Sequence, residues 1–115
     1  MLKPIELRSG LLVQVLRENK VDVARISMGE FYSEENTEAF IEFVDEKCLT
    51  YIPEVKSFTV VRTGPTSILV VVTFGDLETV NDTFEARQAM IDESGIELKD
   101  LFHLEGNVVS NHTNK

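Results

Sequence analysis

The sequence predicts an α+β fold of the ferredoxin-like type, a four-stranded antiparallel sheet with two helices packed on one face. The first observation is the run Ser67–Phe74, SILVVVTF, whose aliphatic and β-branched residues favour a strand that is apolar on both faces. The second is a pair of segments with helical periodicity and capping signals, giving the order β-α-β-β-α-β. The third is the short turn of residues 63–66, TGPT, which joins two strands as an antiparallel hairpin. Because a parallel pair needs a long crossover, this turn excludes a continuous parallel sheet.

The 115 residues fit one domain and divide into three predicted regions. Residues 1–21 are expected to be an N-terminal extension, residues 22–110 the α+β domain, and residues 111–115 a frayed polar tail. In the extension, Ser9 is a candidate N-cap, and the apolar positions after it have helical spacing. We therefore favour a short helix there, although alternate apolar positions in the same stretch also fit a strand.

The first half of the domain is predicted to be a strand followed by a helix. Residues 22–32 alternate between two faces, with odd-numbered positions on one side and even-numbered positions on the other. Ser33 is a preferred N-cap, the two glutamates after it complement the helix dipole, and Pro53 ends the helix. One apolar stripe of this helix is expected to pack on the sheet: Phe40, Val44, Cys48 and Tyr51, broadened by Ile41 and Phe43.

The second half of the domain is predicted to contain a hairpin, a helix and a last strand. Residues 56–63 form the strand that precedes the TGPT turn, and residues 98–110 contain the last strand. Asp76 or Thr79 caps the intervening helix, and Gly95 lies just beyond its end. Five positions of this segment recur at helical spacing: Leu77, Val80, Phe84, Arg87 and Ile91.

The composition indicates a folded globular protein and excludes several kinds of partner. The chain has 20 acidic and 11 basic residues, a net charge of −9 and no cluster of Lys or Arg, so nucleic acid is not expected to bind. No apolar run approaches the roughly 18 residues of a membrane span. The N-terminus also lacks a signal-peptide pattern, so we expect no membrane partner and a cytoplasmic location. Cys48 is expected to be a buried structural thiol, and one Cys with two His gives no metal pattern.

Two helices cover only one face of a four-stranded sheet, and the other face is also predicted to be apolar. It would display Leu69 and Val71, or Val70 and Val72, together with apolar residues of the preceding strand. Such a patch exceeds what monomers normally expose. The simplest cover is a second copy, sheet facing sheet about a two-fold axis, so we predict a homodimer.

The order of elements and two segments resemble the dimeric α+β barrel superfamily. The segments are residues 51–58, YIPEVKSF, and residues 69–78, LVVVTFGDLE: a helix ending at a proline turn before the second strand, and an apolar third strand running into an acidic helix start. The superfamily includes antibiotic-biosynthesis-type monooxygenases and stress-responsive barrel domains. The resemblance implies a dimer and often a small-molecule cavity between sheet and helices. Cofactor-free oxygenases of the group commonly use Trp, Asn or His, and this chain has no Trp.

His103 is the candidate catalytic residue. It lies between Phe102 and Leu104 on the last predicted strand, and its near-neutral intrinsic pKa suits proton transfer beside a dry cavity. The alternative is a structural histidine whose ring bonds a backbone group or Glu105, two residues along on the same face.

The candidate ligand-binding residues combine aromatic walls with polar anchors. They are Tyr32, Phe40, Phe43, Phe58, Arg62, Phe84 and His103, with Met28 and Met90 as further wall residues. Arg62 shares a strand face with Phe58, which would let it anchor a ligand carboxylate. The alternative for Arg62 is a salt bridge to Glu30 or Glu105.

Three functions remain open from the sequence. The first is a homodimer that binds a small, mainly apolar molecule with a carboxylate or carbonyl end, without a cofactor. The second is a cofactor-independent monooxygenase or isomerase with His103 as general base. The third is a structural or interaction domain with no ligand. The fold alone does not choose among them.

Overall fold

A computed structural model describes residues 21–114 and confirms the predicted ferredoxin-like architecture. The elements, in chain order, are β1 (Val23–Phe31), α1 (Glu34–Tyr51), β2 (Ser57–Gly64), β3 (Ser67–Phe74), α2 (Leu77–Asp82), α3 (Phe84–Ser94) and β4 (Leu98–Asn107). The sheet has the strand order β2-β3-β1-β4, and every neighbouring pair is antiparallel. The helix predicted in the N-terminal extension lies outside the described residues.

The starts of α1 and α2 and the end of α3 lie at capping residues that the sequence predicts. Ser33 accepts a hydrogen bond from the backbone N–H of Asn36 at 3.0 Å, and Asp76 accepts one from that of Thr79 at 2.8 Å. Gly95 closes α3 with φ 71°, a left-handed conformation that glycine adopts without steric cost. Local signals therefore fix where α1 and α2 start and where α3 ends.

The second predicted helix is interrupted at Thr83, which corrects the expectation of one continuous helix. The Thr83 hydroxyl donates to the carbonyl oxygens of Thr79 at 2.9 Å and Val80 at 3.1 Å, a local bond that competes with the regular helical ladder. The chain bends between α2 and α3, while the backbone N–H of Arg87 still bonds the Thr83 carbonyl. Because the apolar spacing continues across the bend, periodicity alone does not detect it.

The last strand is shorter than predicted and ends at Asn107. Asn107 pairs with Val23, the first residue of β1, so β4 has no partner beyond that point. The sequence assigned residues 108–110 to the strand as well. The backbone pairing extends there by one hydrogen bond, from the Val108 N–H to the Asp22 carbonyl oxygen at 2.8 Å. The length of β1 therefore sets the length of β4.

The core lies between the helices and the covered face of the sheet. Phe31 and Phe40 pack with ring centroids 5.1 Å apart, and Phe74 is fully buried. The buried apolar residues of the two layers are Val23, Phe31, Phe40, Val44, Ile52, Ile68, Val72, Phe74, Val80 and Met90. The predicted alternation of β3 is confirmed, since Ile68, Val72 and Phe74 all lie in this core.

Within residues 21–114 no helix covers the open face of the sheet, and this face is apolar across all four strands. Met28 on β1 pairs with Leu69 on β3 and with Phe102 on β4, so three apolar side chains cross the sheet in one row. The full set is Ala24, Ile26, Met28, Val61, Leu69, Val71, Phe102 and Leu104. Met28, Val61, Phe102 and Leu104 are each about half exposed. Among the described residues, no helix is long and apolar enough to span a membrane.

Candidate functional site

A cavity of about 180 Å³ lies between the covered face of the sheet and the helices α1 and α3. Its walls are mainly apolar side chains from the helices and β2: Phe40, Val44, Phe58, Phe84, Met90 and Ile91. Phe84 and Leu101 line it while remaining 56% and 39% exposed, so the cavity opens to solvent between α3 and β4. The volume is below the roughly 300–1,000 Å³ of drug-sized sites, and it is similar to apolar cavities of about 150 Å³ that hold benzene.

Gly29 forms part of the cavity floor and is buried on β1. A Cβ atom at this position would lie 3.1 Å from Leu98 Cδ2, closer than most such contacts, and at an ordinary 3.6 Å from Ile68 Cγ1. Glycine therefore permits the close approach of Leu98 to β1.

The polar end of the cavity is built by β1 and β4 and completed by α3. Ser27 lies opposite His103 in the β1–β4 register, and all three of Arg25, Ser27 and His103 line the cavity. They share a face because they occupy odd-numbered positions on neighbouring antiparallel strands. Arg87 reaches the same end from α3. Four polar side chains from three elements thus converge at one end of an otherwise apolar space.

The imidazole of His103 is held by a hydroxyl and is destabilised as a cation. His103 Nδ1 lies 2.9 Å from Ser27 Oγ, and this hydrogen bond fixes the orientation of the ring. The other ring nitrogen, Nε2, takes no part in it. Burial lowers the pKa of His103, and the positive charges of Arg25 and Arg87 lower it further, while Glu105 acts in the opposite direction. The ring is therefore neutral at pH 7 and able to accept a proton.

Arg25 forms an ion pair with Glu105, directly across the β1–β4 ladder. The side chains are 16% and 35% exposed, so the pair is partly buried, and the charge of Arg25 is matched within the sheet. A charge in the middle of a strand needs a partner, and the β1–β4 register supplies one.

Arg87 is fixed by the bend between the two short helices. Its Nη2 donates to the Val80 carbonyl oxygen at 2.7 Å, its Nε lies 3.4 Å from Thr83 Oγ1, and its guanidinium carbon lies 5.8 Å from the Phe84 ring centroid. The interruption at Thr83 leaves the Val80 carbonyl available to a side chain, which a regular helix would not. Burial lowers the pKa of Arg87, and the charge of Arg25 adds to that effect, although a guanidinium stays protonated at pH 7.

Four of the seven predicted ligand-binding residues line the cavity. They are Phe40, Phe58, Phe84 and His103, and the predicted wall residue Met90 joins them. His103 does not bond Glu105, the alternative considered from the sequence, because Arg25 occupies that carboxylate and Ser27 bonds the ring.

The other predicted site residues lie elsewhere. Tyr32 is exposed just after β1, Phe43 packs against Tyr51 with ring centroids 6.3 Å apart, and Met28 points to the open face. Arg62 does not line the cavity, because its side chain bonds Glu38 of α1 at 3.2 Å and two carbonyl oxygens of the hairpin turn.

The predicted salt-bridge partners of Arg62 are also wrong. β2 and β4 form opposite edges of the sheet, so Glu105 is out of reach of Arg62, and Glu30 accepts a hydrogen bond from Thr66 instead. Cys48 is half-buried on α1 outside the cavity, and burial raises the pKa of its thiol. Across residues 21–114, no group of three or more His, Cys, Asp or Glu side chains is placed to hold a metal ion.

The site residues predicted from the sequence did not include Arg25, Ser27 or Arg87. Two signals were available. The odd-numbered face of β1 carries polar residues on the side that the helices cover, and Arg87 interrupts an apolar helical stripe with a charge. A charge on a core-facing stripe indicates a polar environment at that point of the core.

This arrangement defines the class of fold, a ferredoxin-like α+β layer pair with a cavity between sheet and helices. No known family model matches the chain, and no curated protein matches its sequence. Solved structures share the fold. A dimeric ferredoxin-like protein from an uncultured marine organism is 14% identical, with a TM-score of 0.65 over 84% of this chain and 96% of that one.

Two further structures with this fold carry monooxygenase descriptions. A protein of Chloroflexus aurantiacus, provisionally described as an antibiotic biosynthesis monooxygenase, is 18% identical, with a TM-score of 0.66 over 80% of this chain and 97% of that one. A monooxygenase of Streptomyces coelicolor, in complex with the ligand nanaomycin D, is 11% identical, with a TM-score of 0.63 over 83% and 94%. These likenesses confirm the predicted fold resemblance, and at such identities they show the fold alone.

Proposed function

We propose that this protein is a homodimer that holds a small, mainly apolar molecule by a carbonyl or carboxylate end in the cavity between sheet and helices. The observation that carries the proposal is the convergence of Arg25, Ser27, His103 and Arg87 at one end of an apolar space. Ligand sites combine apolar walls with a few polar groups that set orientation, and this cavity has that composition. Its volume suits a molecule with one ring or a short branched chain.

The open face of the sheet supports the dimer. Its apolar residues span all four strands, and burying them against a second copy would contribute roughly 25 cal/mol per Å² of apolar surface. Met28, at the centre of the face, would lie near the two-fold axis. One protein of the same fold is itself described as dimeric. We infer that two copies pair sheet to sheet, which leaves the helix-covered cavities on the outside of the pair.

Mass spectrometry of the purified protein, first native and then denatured, tests both parts. We expect a mass of twice 13.0 kDa and a small molecule released on denaturation. Light scattering after size exclusion at low micromolar concentration provides the control for the mass. A 13.0 kDa species alone would contradict the dimer. If no co-purified molecule is found and no small apolar probe binds, the ligand-binding proposal is contradicted.

A second candidate function is proton-transfer catalysis, which the state of His103 favours. In the tautomer whose Nδ1–H donates to Ser27 Oγ, Nε2 of the neutral imidazole is unprotonated and would act as the general base. Arg25 and Arg87 would stabilise the negative charge that develops on a substrate oxygen as the proton leaves. A cofactor-independent isomerase or monooxygenase would use such a site, the latter with molecular oxygen as co-reactant.

His103→Ala tests the catalytic role on any substrate that is identified from the co-purified molecule. Loss of turnover by about a hundredfold or more, with binding retained, is expected for a general base. Arg62→Gln provides the matched control, because Arg62 is a polar sheet residue outside the cavity. Unchanged turnover in His103→Ala would reject the assignment. The third alternative, a structural domain without ligand, is favoured by the small cavity and opposed by the polar residues that converge at one end of it.

A further inference from the structure

We propose that the cavity selects a small monoanion, such as a single-ring carboxylate, whose negative group lies between Arg25 and Arg87. This inference rests on the proposed ligand-binding function and specifies the chemical class of the ligand. It is carried by the balance of charge at the polar end of the cavity and by the way in which Arg87 is held.

The polar end has one more positive than negative group. Two positive side chains, Arg25 and Arg87, and one negative side chain, Glu105, face this end of the cavity. His103 is neutral at pH 7. Within residues 21–114, no carboxylate lies within 4 Å of Arg87, and Glu105 is engaged by Arg25. The whole chain has a net charge of −9, so the sign at this end is opposite to that of the molecule. An incoming anion would supply the missing negative charge.

Arg87 is fixed before any ligand binds. Its Nη2 and Nε face the helix bend, where Val80 and Thr83 accept, and the Phe84 ring lies against the guanidinium. The Nη1 hydrogens have no acceptor in the described part of the chain. A planar guanidinium with free N–H groups and a fixed orientation matches a carboxylate, and little side-chain entropy is lost when the bond forms.

The alternative ligand charges fit less well. A neutral ligand would leave the Arg87 charge uncompensated while displacing the water that solvates it, which is costly in an apolar setting. A cation would meet the two guanidinium groups of Arg25 and Arg87, whose positive charges add to burial in lowering the pKa of His103. An anion alone compensates the charge of Arg87, which no carboxylate of residues 21–114 matches.

Isothermal titration calorimetry with three single-ring probes tests the inference on the full chain. Benzoate carries the charge, benzamide is its neutral near-isostere, and toluene has no polar group. We expect benzoate to bind about tenfold to a hundredfold more tightly than benzamide at low salt, the range of a charge-assisted hydrogen bond. Arg87→Gln should weaken benzoate by about tenfold and change benzamide by less than about threefold.

Glu105→Gln should change the benzoate affinity in the opposite direction to Arg87→Gln, and it leaves the contacts that hold Arg87 intact. Removing the carboxylate frees Arg25 for the ligand, so benzoate should bind about threefold more tightly to this variant. Arg62→Gln, outside the cavity, should bind all three probes as the unmodified protein does.

The outcomes separate the two proposals. Equal affinity for benzoate and benzamide, or binding of toluene alone, would overturn the anion inference and leave the apolar cavity as a ligand site. Weaker binding of benzoate to Glu105→Gln would overturn the charge-balance argument in the same way. If none of the three probes binds, the proposed function itself fails, and the inference fails with it.

Discussion

The two faces of the sheet reverse the usual distribution of polar and apolar residues. The covered face carries Arg25, Ser27 and His103 beneath the helices, whereas the open face carries Met28 and Phe102 towards solvent. Polar groups are normally outside, and large apolar patches are normally inside. The difference indicates that neither face is complete in a single chain: the covered face has a cavity that suits a polar ligand end, and the open face suits a second sheet.

Phe31→Ala compared with Phe102→Ala should give the largest difference between the faces. Phe31 is 1% exposed and stacks on Phe40, so its loss should lower the free energy of unfolding by about 3–5 kcal/mol at any protein concentration. Phe102 is 52% exposed in the single chain. Phe102→Ala should therefore lower the free energy of unfolding only at protein concentrations at which the dimer forms. Urea unfolding at two protein concentrations measures both effects. A concentration-independent cost for Phe102→Ala would contradict the role of the open face.

Met28→Glu should dissociate the dimer. Met28 lies in the central row of the open face between Leu69 and Phe102, and symmetry would bring two introduced carboxylates close together. We expect the dimer dissociation constant to rise by about a hundredfold or more, since like charges in an interface cost several kcal/mol. Light scattering across a dilution series measures it.

Leu49→Glu is the matched control for Met28→Glu. Leu49 is an exposed apolar residue on α1, at 62% exposure against 42% for Met28, and it is far from the open face. The dimer should survive this change. Dissociation by both variants would indicate that added charge, not position, disrupts the assembly.

The pKa of His103 tests the electrostatics of the covered face. Burial and the two arginines place this pKa below the ordinary value of about 6.5, so the unfolded chain binds the proton more readily than the folded chain. The contribution of His103 to stability is therefore complete above pH 6.5 and declines as the pH falls through the folded-state pKa. NMR titration should show a higher pKa in Arg87→Gln and a lower one in Glu105→Gln. A pKa above 6.5 in the unmodified protein would contradict this account.

Arg62→Gln should have the smallest effect. The Arg62–Glu38 pair is a surface contact on the β2 edge, so its loss should change the free energy of unfolding by less than about 1 kcal/mol. Probe affinity should not change, because Arg62 lies outside the cavity. Weaker benzoate binding in this variant would show that the second arginine of the site had been misassigned.

The sequence predicts the architecture well because the architecture depends on local signals. Alternation assigns Ile68 and Leu69 to opposite faces, and the caps at Ser33, Asp76 and Gly95 set the helix ends. These features follow from one or two neighbouring residues and from the period of a strand or helix. An unambiguous hairpin turn then leaves few topologies for four strands and two helical segments.

The composition of the site could not be predicted in the same way, because it depends on relations between distant elements. The pairing of Ser27 with His103 depends on the β1–β4 register, and a shift of one residue would turn His103 to the other face. Arg87 and Arg62 were both charged residues on apolar stripes. Only the bend at Thr83 and the edge position of β2 decide which one reaches the cavity.

The alternating side-chain directions of β4 would link ligand binding to protein concentration. His103 and Glu105 lie on one side of this strand and Phe102 and Leu104 on the other, and among residues 21–114 the edge strand β4 pairs with β1 alone. A partner sheet resting on Phe102 would steady the strand that presents His103. Occupancy of the pocket and self-association would then be reciprocally coupled: each would raise the apparent affinity of the other by the same factor.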